Sequence, residues 1–235
     1  LLAKNKDCKE YIGFLGGGVY NHYAPSVVTT IMERDEFLTS YVGDAYADHG
    51  KWMAQFEYAS CLAELLELDA VNTPTYDWGM AAATAIRMAS RITSRDEALV
   101  CTAVSPDRLS CMKNYAWSAV PTFTVVETDP QTGLVDLEDL KAKMTDKVAV
   151  FYFENPSFFG VIEHQGAQIA EIVHAMGGVV AAGVDPISLG VLEAPAKYGV
   201  EIAVGDVQGL GLPMSCGGGQ GGFHVGDVEH QRGFA

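Results

Sequence analysis

The chain has 235 residues, 49% of them hydrophobic, and 30 acidic residues outweigh 15 basic ones for a formal charge of −15. This length and apolar content suffice for one large domain with a sizeable core. The acidic balance argues against nucleic acid or an anionic membrane surface as a partner, because both recruit Lys and Arg.

Residues 1–50 read as an N-terminal arm with a glycine-rich stretch, GFLGGGVYNHY, and residues 51–235 as an α/β domain. The glycine run neither follows a strand nor opens a helix, so a tight turn is favoured over a dinucleotide loop. His22 and Tyr23, with Tyr20 and Asn21, are either a polar cluster at a pocket or structural residues. A helix is predicted over 51–68 from Met53, Phe56, Ala59, Leu62, Leu65 and Leu66 at helical spacing. A second follows Asp77 as N-cap, with Met80, Ala83, Ile86 and Met88 or Ala89 on one face. Then come the short apolar run ALVCTAV, a helix in SPDRLSCMKNYAWSA, the strand TFTVVETD and an acid-opened helix in VDLEDLKAKM. VAVFYFENP and GVVAAGVDP read as fully buried strands. AQIAEIVHAMG between them reads as a helix closed by Gly177, and IAVGD completes the series.

Strands that are apolar throughout, alternating with amphipathic helices, predict a mostly parallel sheet flanked by helices on both faces. Ligands in such sheets sit beyond the carboxyl ends of the strands, where TPTYDWG, FENPSFFG, DPISLG and GDVQGLGLP fall. Asp185 either holds a cofactor's ring nitrogen or caps the DPISLG turn, and spacing alone favours the cap.

The five cysteines, Cys8, Cys61, Cys101, Cys111 and Cys216, are odd in number and lack C-x-x-C spacing. Reduced thiols in a cytoplasmic protein are expected rather than disulfides or zinc. No metal site is expected from the scattered histidines, and there is no G-x-S-x-G elbow. No apolar run reaches the ~18 residues of a membrane span, and no basic-then-apolar leader is present. Because the chain starts Leu-Leu, a missing N-terminal piece is expected.

FLGGGVYNHYAPSVV, TPTYDWGMAAATAIRMASR, FENPSFFGVIE, DPISLGVLEAPAKYGVEIAVGD and QGLGLPMSCGG occur in this order. Together they resemble the N-terminal half, or separate subunit 1, of the glycine-cleavage P-protein family. The resemblance implies the large-domain architecture of a pyridoxal-phosphate (PLP) enzyme of the aspartate-aminotransferase type, fold type I. It also implies an assembly that decarboxylates glycine and passes the aminomethyl group to the lipoyl arm of the H-protein. The family's cofactor-binding half carries a lysine in a segment like N-L-H-K-T-F-x-x-P-H-G-G-G-G. Alignment on Pro213 puts Gln208 at that lysine, and an amide cannot form a Schiff base. A phosphate is also unwelcome at TPTYDWG, where Asp77 brings a like charge beside the bulky Tyr76 and Trp78.

The resemblance therefore implies PLP on a partner subunit 2, with Asp77, Asp185 and Gln208 as vestigial positions here. The glycine segment 205–223 is expected to pass close to that partner. The family's subunit 1 lends a segment T-A-Y-T-P-Y-Q across the interface. Here Thr39-Ser40-Tyr41 keeps T-x-Y, whereas a shorter VGDAYADHG, holding Tyr46, replaces the rest. Tyr41, His22 and Tyr23 are the expected interface contributions, with packing as the alternative for each. The family subunit also has a smaller C-terminal domain absent here, so a fragment or a truncated product is expected. The competing readings are a catalytically degenerate scaffold of the same fold and a self-sufficient PLP-dependent lyase or decarboxylase.

Overall fold

Why the apolar runs become a single sheet follows from their burial in a computed structural model that describes residues 2–14, 18–37, 49–72, 74–217 and 221–227. Seven strands form the sheet: β1 (Ala70–Val71), β2 (Glu97–Cys101), β3 (Thr122–Val126), β4 (Val148–Glu154), β5 (Val179–Val184), β6 (Ile202–Asp206) and β7 (Gly222–Gly226). Their order is β1-β7-β6-β5-β4-β2-β3. The strands β3, β2, β4, β5 and β6 run parallel, while β7 is antiparallel to β6 and β1 antiparallel to β7.

The central strands β4, β5 and β6 are buried along their whole length. Burial on both faces explains why no polar alternation marks them in the sequence. β6 divides its side chains between two clusters. Ile202 and Val204 join one that includes Ala82 and Ile86, whereas Ala203 joins one with Leu62 and Leu66.

Six α-helices are described: α1 (Ser26–Met32), α2 (His49–Leu66), α3 (Trp78–Thr93), α4 (Pro106–Ala116), α5 (Leu137–Lys143) and α6 (Gly166–Ala175). The Asp77 carboxylate caps α3, accepting the Met80 amide at 2.7 Å. Alanines along the inner face of α3 are fully buried and let it lie close on the sheet. Asp136 caps α5, and Gly177 at φ +70° ends the turn after α6, as its left-handed conformation requires.

Two sequence expectations change. The glycine-rich GGFHVGD forms β7, which carries no strand signal because glycine lacks a side chain to pattern. The apolar stripe expected on α2 is buried only at its C-terminal end, through Leu62 and Leu66. Met53 and Phe56 face outward, Phe56 at 69% exposure.

Candidate functional site

The carboxyl ends of β4, β5 and β6 converge with the start of α3 and the arm around Tyr20. Glu154, the last residue of β4, is a carboxylate at the end of an otherwise apolar buried strand, and Arg108 from α4 meets it. Arg108 Nε and Nη2 donate to Glu154 Oε1 and Oε2, both at 2.6 Å. The guanidinium also lies over the Trp78 ring, 4.3 Å from its centroid. Trp78 Nε1 donates to the Tyr152 hydroxyl at 3.0 Å, which donates to Glu154 Oε1 at 3.2 Å. Burial pushes the Glu154 carboxyl up and the Arg108 hydrogen bonds pull it back down. The short two-pronged geometry is that of an ionised pair.

Gly183 in β5 makes room for these rings. A Cβ there would lie 2.5 Å from the Tyr152 hydroxyl and 2.9 Å from the Trp78 indole. The Tyr152 hydroxyl and the Trp78 indole thus fill the space over Gly183, with Arg108 and Glu154 packed against them.

Asp206 ends β6 and is only 9% exposed. Its carboxylate accepts the Gln208 amide at 2.6 Å. Burial pushes Asp206 up to about 6; that hydrogen bond opposes the shift, Asp77 and Asp185 reinforce it, and Arg108 opposes it. A carboxyl raised in the folded state destabilises the fold increasingly as pH climbs from about 4 to about 6. Below that window this cost vanishes.

Tyr20, from the arm, is 49% exposed. Burial raises its phenol, against the pull of Arg108, and Asp185, Asp206 and Glu154 add to the rise. The phenol is therefore held in its neutral form.

The expected residues that the structure describes have definite places. Asp185 caps its turn, accepting from the Ile187 amide at 2.9 Å while the Ser188 hydroxyl donates to its carbonyl at 2.6 Å. Asp77 is spent on the α3 cap. Gln208 is 1% exposed and bonded to the arm and its own loop. His22 Nε2 contacts the Leu212 carbonyl at 2.7 Å and Nδ1 the Tyr23 carbonyl at 3.0 Å. Which ring nitrogen donates depends on the tautomer. Tyr23 projects outward at 83% exposure. Tyr41 and Tyr46 lie outside the described residues.

The glycine segment is described over residues 205–217 and 221–223. Its close approaches are made within this chain: a Cβ at Gly205 would strike the Val184 carbonyl and the Phe223 ring, and one at Gly222 the Asp77 carbonyl and Thr75. At these two glycines the backbone is pressed against β5 and the α3 cap. Residues 218–220 lie outside the described residues.

Sequence reasoning missed Arg108, Glu154 and Tyr152, and it names Tyr20 only as a companion of His22 and Tyr23. A carboxylate closing an all-apolar strand was the available signal for Glu154, since buried charges need partners. Nothing in the sequence pointed to Arg108, 46 residues away.

Pyridoxal phosphate does not fit these residues. No amine stands at Gln208, and Lys197 is paired with Glu67 at 2.5 Å. The first turn of α3 is capped by a carboxylate, and the arginine at the strand ends is committed to Glu154. Among the described residues no cluster of His, Cys, Asp or Glu has the makings of a metal site, and no helix is long and apolar enough to cross a membrane.

The family model for the glycine cleavage system P-protein matches residues 1–234. A probable glycine dehydrogenase (decarboxylating) subunit 1 of Carboxydothermus hydrogenoformans is 43% identical over 224 residues, 95% of this chain and 50% of that one. Its namesake from Aeropyrum pernix is 40% identical over 221 residues, covering 93% and 48%. The chain thus spans about half the length of these relatives. A crystal structure of glycine decarboxylase (P-protein) of the glycine cleavage system, in inhibitor-bound form, superposes with a TM-score of 0.86 at 36% identity, over 94% of this chain and 49% of that one. The cysteine desulfurase CsdA of Escherichia coli shares the fold alone, with a TM-score of 0.62 at 16% identity, covering 87% and 51%.

Proposed function

The chain belongs to the glycine cleavage system P-protein family, and we propose that it serves as the non-cofactor-binding half of a heteromeric glycine decarboxylase. In this reading PLP sits on the partner, subunit 2. This chain completes the joint site with His22, Tyr23 and Tyr41, and the aminomethyl product passes to a lipoyl H-protein in the cytoplasm. The arm of residues 1–50 serves the interface and residues 51–235 supply the large domain.

One observation supports the reading: Trp78, Arg108, Tyr152 and Glu154 are locked together at the carboxyl ends of β4 and β5, and Gln208 stands where the family resemblance places the lysine. PLP supplies an electron sink for the carbanion left by decarboxylation, and no group of this chain offers an equivalent. The chain's own residues act by shaping and closing the joint site: Tyr23 projects from the arm, and His22 ties the arm to the Leu212 carbonyl.

A second reading, a catalytically degenerate scaffold, draws on VGDAYADHG where the family keeps T-P-Y-Q. Mixing the chain with subunit 2 separates the two. Glycine-dependent exchange of labelled bicarbonate on mixing, with none from either subunit alone, is the expected result. A mixed complex that forms yet stays inactive would establish the scaffold.

A further inference from the structure

The side chain at the lysine position is not idle. Gln208 Oε1 accepts the Tyr20 backbone N–H at 3.0 Å, and Gln208 Nε2 donates to the Tyr20 carbonyl at 3.0 Å. One side-chain amide thus pairs with both backbone groups of a single residue, as a neighbouring strand would. Its second amide hydrogen goes to the Leu212 carbonyl, also at 3.0 Å. Both donors are used, and the pattern fixes the orientation of the amide, because a flip would set its NH₂ against the Tyr20 N–H.

The loop is shaped to close this knot. Gly211 at φ +133° turns the chain so that the Leu212 amide bonds back to the Gln208 carbonyl at 3.0 Å. The Leu212 carbonyl then accepts from Gln208 and contacts His22 Nε2 at 2.7 Å. Residues 20 and 22 of the arm are therefore held at two points 188 and 190 residues away in the sequence. Cys8 Sγ, 3.7 Å from Met214 Sδ, extends the same seam.

We propose that Gln208 is a positioning residue, a clasp that seats the N-terminal arm across the strand ends and so fixes Tyr20, His22 and Tyr23 for the joint site. Only an amide serves. Lysine has no acceptor for the Tyr20 N–H, glutamate has no donor for the two carbonyls, and methionine keeps the volume with neither. Chemistry that requires lysine on one half of such an assembly is thereby exchanged for a fastening on the other. This inference rests on the heteromeric reading for its effect on turnover, but the clasp itself is a property of this chain.

The test compares wild type, Gln208→Met and Leu140→Ala, each as the complete chain assembled with subunit 2. Leu140 is fully buried on α5, so its truncation lowers stability without touching the clasp. Two quantities are read: hydrogen exchange at the Tyr20 amide, and kcat and KM for glycine. In Q208M exchange at Tyr20 rises about tenfold, and kcat falls about tenfold or more, as a mispositioned site would show. In L140A the Tyr20 amide stays protected and kcat holds despite a lower Tm. Undisturbed protection of Tyr20 in Q208M overturns the clasp, and an equal kcat loss in L140A overturns its positioning role. Should the wild-type pair show no turnover, the decarboxylase reading fails, while exchange at Tyr20 still decides the clasp.

Discussion

Arg108→Met will destabilise the domain by about 3–5 kcal/mol at neutral pH, because it strands Glu154 as a buried unpaired charge. The Glu154 side chain has no exposed surface, so water cannot replace the two lost hydrogen bonds. The Trp78 ring also loses the cation stacked on it. The effect depends on pH with a definite sign. Without the arginine, burial is opposed only by the weaker Tyr152 and Ser105 hydrogen bonds, so the folded-state pKa of the carboxyl rises further. The penalty is complete above that value and shrinks as pH falls toward about 4, where the unfolded carboxyl also protonates. The double variant Arg108→Met, Glu154→Gln removes the buried charge and recovers most of the loss. Denaturant unfolding at pH 7 and pH 4.5 checks all three statements. A single variant equally stable to wild type at pH 7 would show that the pair is hydrated in solution.

Gly205→Ala is expected to cost about 3 kcal/mol, at the upper end of the overpacking range. Its Cβ would meet the Val184 carbonyl, which belongs to the neighbouring strand, and the Phe223 ring, 2.5 Å away. A rotamer change relieves a side-chain clash, but nothing moves the Val184 carbonyl without breaking the β5–β6 pairing. Gly190→Ala is the internal comparison. It has no atom within 4 Å of the added Cβ, so its change stays within about 0.5 kcal/mol. Equal stability of the two variants in thermal unfolding would contradict the close approach at Gly205.

The fold class was legible because its signals are local. Asp77 before an alanine-rich periodic run foretold both the start and the cap of α3, and VAVFYFE could only be a strand buried on both faces. β7 was hidden, since GGFHVG offers neither β-branched repetition nor alternation, and its pairing with β6 is fixed by tertiary contacts. The same distinction separates the site residues. Asp185 as a turn cap lies within reach of spacing arguments, its acceptor bond being to an amide two residues on. Arg108 with Glu154, and Gln208 with Tyr20, are 46 and 188 residues apart. A single sequence carries no record of such juxtapositions. Gln208 was identified as a lysine position without lysine, but only the fold reveals what the amide does there.

In the proposed heteromer this chain works without its own cofactor and lends residues to a partner that has one. The most direct measurement is borohydride reduction of the assembled complex in the presence of PLP, followed by peptide mapping of the reduced cofactor. The label is expected on a lysine of subunit 2 and on no lysine of this chain, assembled or alone. A stoichiometric phosphopyridoxyl group on any lysine of this chain, Lys197 included, would contradict it.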